Sequence, residues 1–180
     1  MIDIIVPSAQ KLIKRTGTRD PFKICTQLGI IVEFKDLGDL KGMYRKLYEY
    51  RYILINKFLD EYTQIVVCAH ELGHDQLHRK LAEKRVLRDY AIIQMKKPIE
   101  LEAHMHAAET LLDDNEILEY VYSGYTAEQI AMQTCTYTDF IGIKLELLRH
   151  KGYKINNIER NPYFLKCAEV KRDGSHYSPC

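Results

Sequence analysis

The stretch CAHELGHDQLH, residues 68–78, decides how the rest of the chain is interpreted. It lies within residues 61–80, whose apolar spacing predicts a helix. His70 and His74 stand four residues apart, so on a helix both imidazoles project from one face and can bind one tetrahedral metal ion. Glu71 is placed to remove a proton from the water that such a metal activates. The stretch therefore predicts an HExxH hydrolytic site.

A third metal ligand must come from elsewhere in the chain. A metzincin would need a histidine six residues beyond His74, and Lys80 stands there. Residues 99–112 predict a second helix that carries Glu100, Glu102 and His104. Glu100 and His104 share a face, whereas Glu102 points the other way, so only one of the two glutamates can face the metal. Histidine and carboxylate ligands favour Zn²⁺, although Mn²⁺ or Fe²⁺ fits the same set.

Two segments together resemble the ImmA/IrrE family of metallopeptidases, which are gluzincin-like HExxH zinc peptidases. These segments are CAHELGHDQLH, 68–78, and ELEAHMHAAETLL, 100–112, within an organisation that extends over residues 40–150. The register of the family pattern implies that Glu100 is the third ligand. His104 stands where the family has Asn or Asp, so it either orients a ligand histidine or becomes an additional ligand.

His78 matches the HELGHxxLH form that is common in this family. It is interpreted either as a group that supports the ligands or the substrate, or as a partly buried histidine that caps the helix. Cys68, which precedes the motif, is predicted to be a small thiol in the core.

The fold predicted from the whole chain is α+β. A small antiparallel three-stranded sheet, with a hairpin turn at Tyr50 and Arg51, packs with the HExxH helix and further helices. The predicted strands are residues 30–34, 42–48 and 52–55. The other predicted helices are residues 8–14, 20–28, 113–121, 126–132 and 138–150. We expect a metallopeptidase core in residues 1–122, a helical extension packed on it in residues 123–153, and an irregular tail in residues 154–180.

Residues 123–153 resemble the helix-turn-helix-like region of the same family. DNA contact is one interpretation of this segment, and packing or protein contact is the other. The second helix carries Lys144, Glu146, Arg149 and His150 without a basic stripe, which favours protein contact over duplex DNA.

Composition limits the classes of function. The 26 basic and 25 acidic residues nearly cancel, so a nucleic acid or an anionic membrane could be attracted only by a local patch. Five scattered cysteines are unlike a secreted disulfide framework. The N-terminus lacks a basic leader followed by a long apolar run, and no segment is long enough to span a membrane. We therefore expect a cytoplasmic protein.

Two hypotheses for the function follow. The resemblance implies a site-specific zinc metalloendopeptidase whose substrate is a regulatory protein, typically a helix-turn-helix repressor. The alternative is a metal-binding regulator or toxin-antitoxin component that acts by protein or DNA association rather than by proteolysis. Glu71 favours hydrolysis, because a purely structural metal site has no need of a base.

Overall fold

The computed structural model describes residues 1–89 and 97–155, in which eight helices and four strands are present. In chain order they are α1 Ile2–Thr16, α2 Pro21–Gln27, β1 Ile31–Lys35, β2 Gly42–Leu47, β3 Tyr50–Asn56, α3 Glu61–Leu77, α4 Arg79–Lys84, β4 Leu87–Asp89, α5 Pro98–Leu111, α6 Asp114–Tyr122, α7 Ala127–Gln133 and α8 Thr138–His150. None of these helices is long and apolar enough to cross a membrane.

Local signals explain where four of the eight described helices begin. The carboxylates of Asp20 and Asp60 accept backbone N–H groups at the starts of α2 and α3. Pro98 occupies the first turn of α5, where its missing N–H costs nothing. Thr126 and Gln129 form the capping box of α7 that the sequence predicts. These short-range signals explain why the predicted starts of these four helices lie close to the observed ones.

Two helix predictions need correction. α1 begins at Ile2 rather than at residue 8 and contains Pro7. The helix predicted for residues 61–80 ends at Leu77 because His78 leaves helical geometry, with φ −121° and ψ 22°, and α4 then begins. His78 thus stands at the junction of two helices.

The prediction of a three-stranded antiparallel sheet is wrong in detail. Among the described residues the sheet has four strands in the order β1-β3-β2-β4, and β1 runs parallel to β3 while the other pairs are antiparallel. β3 takes an inner position because its Ile53 and Ile55 are fully buried and its backbone is paired on both sides. The fourth strand falls in a segment without clear periodicity.

The β2–β3 hairpin turn also differs from the prediction. Leu47 pairs with Tyr50, so the turn consists of Tyr48 and Glu49 rather than Tyr50 and Arg51. Tyr48 has a φ of 53° and is largely exposed. A tyrosine is an unusual residue for this backbone region, so the sequence carries no Gly or Asn signal for the turn.

The chain divides into two compact units, Met1–Asp113 and a second unit that begins at Asp114. In the first unit the core lies between the sheet and the helices that cover it. Its buried members are Leu12, Ile24, Cys25, Ile30, Tyr44, Ile53, Ile55, Val67, Cys68, Leu72, Ala82 and Leu87. Cys68 is buried as predicted.

The second unit, within the described residues, contains α6, α7 and α8, and α7 packs against α8. The segmentation into residues 1–122, 123–153 and 154–180 stays a prediction, and most of the predicted tail lies outside the described residues.

α3 and α5 approach each other closely at Gly73. A Cβ atom added to Gly73 would lie 2.8 Å from the carbonyl oxygen of Ala103, a distance that real Cβ atoms do not tolerate. The glycine that weakens the helix pattern in the sequence therefore permits the helix contact. This contact brings the glutamates of α5 beside the histidines of α3.

Candidate metal centre

Three buried side chains converge where α3 faces α5. The Nε2 atoms of His70 and His74 each lie 3.3 Å from Oε2 of Glu100. One donor atom from each of the three residues lies within 4.8 Å of the others. His70 and His74 are each 1% exposed and Glu100 is 6% exposed. The three residues could therefore hold one metal ion.

The spacing of these donor atoms suits a small divalent ion. Zinc lies about 2.0–2.1 Å from histidine nitrogen and carboxylate oxygen in proteins, so tetrahedral ligands are roughly 3.3–3.4 Å apart. The two nitrogen–oxygen distances match that value. Two imidazoles and one carboxylate would leave a fourth ligand position open, as in catalytic zinc sites.

Burial and mutual contact set the charge of this cluster. Burial lowers the pKa of His74, so the imidazole is neutral and available as a ligand. Burial raises the pKa of Glu100, but its contacts with His70 and His74 lower that pKa by more, and the carboxyl group is ionised. The Glu100 carboxylate and the His74 imidazole are therefore in the protonation states that metal binding requires.

Behind His70 lies the fully buried His104. Nδ1 of His70 and Nδ1 of His104 are 3.1 Å apart. Burial lowers the pKa of His104 to about 2, so His104 is neutral and its Nδ1 can accept a hydrogen from His70. That contact leaves Nε2 of His70 directed at the cluster. His104 could therefore orient His70, which is one of the two roles that the sequence predicts for it.

Behind His74 lies a chain of two further groups. Nδ1 of His78 is 2.9 Å from Nδ1 of His74, and Nε2 of His78 is 2.9 Å from a carboxylate oxygen of Glu102. If His78 donates to Glu102, its Nδ1 accepts from His74, and Nε2 of His74 carries no hydrogen. Glu100 and Glu102 thus have different partners, as the opposite faces of their helix require.

Glu71 is fully buried and lies beside strand β2. A Cβ atom added to Gly42 would lie 2.8 Å from Oε1 of Glu71 and 2.5 Å from Cγ1 of Val67. Only a glycine therefore lets β2 pass this close to the carboxylate. The backbone of β2 packs against the side chain that the sequence predicts to be the base.

Asp75 forms a second buried cluster that the sequence interpretation missed. Its carboxylate accepts hydrogen bonds from the Tyr44 hydroxyl at 2.7 Å, from Arg51 at 3.1 Å and from Arg79 at 3.0 Å. Burial and the Asp75 carboxylate raise the pKa of Tyr44. Tyr44 therefore ties β2 to α3, which leaves its hydroxyl committed to structure. Partners so far apart in sequence leave no short-range signal.

Comparison with known proteins agrees with this arrangement. The family model of the peptidases described as the IrrE N-terminal-like domain matches residues 25–151, more than half of the chain. The chain belongs to this family. The matched segment contains α3 and α5, and with them the HExxH motif, Glu100, His78 and His104.

Two proteins with similar sequences support this family assignment. Metallopeptidase ImmA of Bacillus subtilis strain 168 is 35% identical over 127 residues, which cover 68% of this chain and 72% of ImmA. An uncharacterized immunity region protein of Bacillus phage phi105 is 30% identical over 130 residues, which cover 72% of this chain and 81% of the phage protein. The protein is accordingly an ImmA/IrrE family metallopeptidase, as the sequence resemblance implied.

Proposed function

We propose that this metallopeptidase is a zinc-dependent endopeptidase that cuts a regulatory, repressor-like protein. His70, His74 and Glu100 hold the metal, and Glu71 is the general base. The observation that carries the proposal is the buried convergence of the two Nε2 atoms on Oε2 of Glu100, 3.3 Å from each. Glu71 follows His70 on the same helix and stays outside that triad.

The chemistry assigned to each group follows from its position. His70, His74 and Glu100 would hold the zinc ion, which would act as a Lewis acid toward the scissile carbonyl and the attacking water. The role of the Glu71 carboxylate is to accept a proton from the attacking water and to donate it to the leaving amine. His104 and His78 keep the two ligand rings in the required tautomer and orientation.

The names of the relatives support a regulatory protein as the substrate. One relative is called a metallopeptidase, and the other is named for the immunity region of a phage. Cleavage of a repressor protein is one way to control the expression of genes in such a region. A helix-turn-helix repressor is therefore the substrate that we propose, and the scattered cysteines support a cytoplasmic location.

The substitution Glu71→Gln tests the proposal. It keeps the size of the side chain but removes the base, so we expect repressor cleavage to fall by on the order of 10²-fold or more while zinc stays bound. Cleavage is followed by gel electrophoresis and mass spectrometry of a co-incubated candidate repressor, and zinc is measured by elemental analysis. His74→Gln is the matched control, because it should lose the metal as well as the activity. Loss of zinc from the Glu71→Gln protein would contradict the assigned role.

A further inference from the structure

A wide cleft lies in the first unit beside the C-terminal end of α3. Its volume is about 1180 Å³, and Gln76, Leu77 and His78 form part of its wall. Small-molecule pockets usually enclose about 300–1,000 Å³, so this cleft is large for a single compact ligand. It is better suited to an extended segment of chain.

The lining of the cleft is basic. Among the described residues, the cations that line it are Arg15 of α1, Arg51 of β3, and Arg79 and Lys80 of α4, against one acidic residue, Glu83. Four cations from three elements therefore face one space, although the whole chain is nearly neutral. The cleft is therefore a local positively charged patch, which a chain with nearly balanced total charge can still contain.

Most of this positive charge is not cancelled by neighbouring carboxylates. Arg51 and Arg79 share the single carboxylate of Asp75. Glu83 is engaged by Lys46, which brings a further cation. Within the part of the chain that the structure describes, neither Arg15 nor Lys80 forms a close ion pair; Glu83 interacts electrostatically with Lys80 but is bonded to Lys46. The cleft is therefore electrostatically complementary to an acidic ligand.

The uncharged lining fits a polypeptide. Gln27 and Gln76 use their Nε2 atoms inside the protein, donating to the Thr16 carbonyl and to Asp75. Their carbonyl oxygens can accept backbone N–H groups of a bound segment. Leu28, Leu77 and Leu81 supply apolar surface between the charges. A phosphate or another small anion would leave both of these features unused.

We propose that this cleft is a docking site for an acidic segment of the protein substrate, separate from the metal centre. The proposal rests on the proposed function for the identity of the partner, whereas binding itself requires no hydrolysis. His78 links the two sites, because it lines the cleft and also contacts Nδ1 of His74. A substrate held here gains local concentration beside the metal, so specificity comes from a second contact.

Fluorescence anisotropy of the full chain loaded with zinc tests the proposal. The probe is a fluorescein-labelled octapeptide that contains six Glu and two Leu residues, and the reference peptide has Gln in place of each Glu. We expect the acidic peptide to bind and the Gln peptide to bind at least roughly tenfold more weakly, with affinity falling as salt is raised. Equal binding of the two peptides would overturn the proposal.

A charge-reversal variant locates the binding. Arg15→Glu with Lys80→Glu should weaken binding of the acidic peptide by roughly tenfold or more, since two attractive contacts become repulsive. Both side chains are exposed, so folding should be unaffected. Lys11→Glu with Lys57→Glu makes the same change in net charge at exposed positions that do not line the cleft. Equal weakening by the two double variants would overturn the assignment to the cleft.

Two further readouts separate the remaining alternatives. Inorganic pyrophosphate should displace the peptide only at millimolar concentrations, through ionic strength. Displacement at micromolar concentrations would mark a small-anion site and overturn the proposal. The Glu71→Gln protein should bind the peptide as the parent does, so docking can be confirmed even if repressor cleavage fails. If cleavage depends on Glu71 but is unchanged in Arg15→Glu with Lys80→Glu, the docking proposal falls and the proposed function stands.

Discussion

Two glutamates on one helix, two residues apart, have different partners in this metallopeptidase. Glu100 contacts both histidines of the HExxH motif, whereas Glu102 contacts His78 behind them. Removal of a ligand eliminates a donor to the metal, while removal of a supporting group changes only the orientation and basicity of a ligand. The two side chains can therefore be distinguished by metal affinity.

We expect Glu100→Ala to lose zinc on dialysis and Glu102→Ala to retain it with an affinity lowered by about tenfold. Competition titration with a chromophoric chelator measures both affinities. The two substitutions remove the same chemical group, so each serves as the control for the other. Stronger loss of zinc in Glu102→Ala than in Glu100→Ala would show that the ligand assignment is wrong.

Gly42 gives a second prediction at the residue scale. In Gly42→Ala the new methyl group must displace Glu71 or Val67, because it would lie within 3.0 Å of both. Displacement of Glu71, the proposed base, should lower the rate of cleavage by roughly 10²-fold without releasing zinc. Steady-state kinetics and elemental analysis check this, with Lys41→Ala as the neighbouring control. An unchanged rate would mean that the carboxylate has freedom to move aside.

The sequence supports sharper predictions for the residues of the candidate site than for their surroundings. His70, Glu71 and His74 can be recognised in the sequence because a spacing of four residues places both histidines on one face of a helix. Glu100 could be preferred over Glu102 as the third ligand only by aligning α5 with the family pattern. The Asp75 cluster could not be predicted, since Tyr44 and Arg51 reach it from strands whose pairing is not encoded locally.

At the scale of elements, the contact between α3 and α5 positions the site. Gly73→Ala would normally stabilise an isolated helix by up to about 1 kcal/mol. Here the Cβ atom would meet backbone atoms of Ala103, which cannot rotate away as a side chain can. We expect a net loss of roughly 1–3 kcal/mol in the free energy of unfolding and weaker zinc binding. Urea denaturation measured with and without zinc tests both. A more stable variant would contradict the close approach.

Helices were predicted more accurately than the sheet for a physical reason. A helix closes its hydrogen bonds within a few residues, so caps such as Asp20 and Thr126 are sufficient signals. A strand order depends on partners elsewhere in the chain. β1 and β3 are separated by β2 in sequence yet pair in parallel, and β4 is too short to show an alternating pattern. Pairing of this kind is decided by packing rather than by propensity.

At the scale of the whole molecule, individual carboxylates should differ in how they change the free energy of unfolding as the pH falls. Burial raises the pKa of Asp114, but hydrogen bonds from Lys144 and Lys151 lower that pKa by a larger amount. The net result is a pKa below the ordinary value of 3.8. A carboxylate with a lowered folded-state pKa stabilises the protein above about pH 4. That contribution is lost as the pH falls through the folded-state pKa. Acid should therefore loosen the second unit at this ion pair.

We expect Asp114→Asn to be destabilised at pH 5 and to lose less stability than the parent between pH 5 and pH 3. Asp139 provides a control with the opposite sign, because burial raises its pKa and protonation there favours the folded state. Urea unfolding monitored by circular dichroism at the two pH values measures the difference. An Asp114→Asn protein with the same pH dependence as the parent would rule out this origin of acid sensitivity.

The two buried thiols of Cys25 and Cys68 have a practical consequence. Their sulfur atoms lie 3.9 Å apart, both residues are fully buried, and burial raises the pKa of Cys68. An alkylating reagent can reach them only when α2 separates from α3, whereas Cys135 is exposed and reacts directly. The rate of modification at Cys68 therefore measures how often the helix that carries the motif opens. Alkylation of Cys68 therefore reports the rate of local opening of α3 without an added probe.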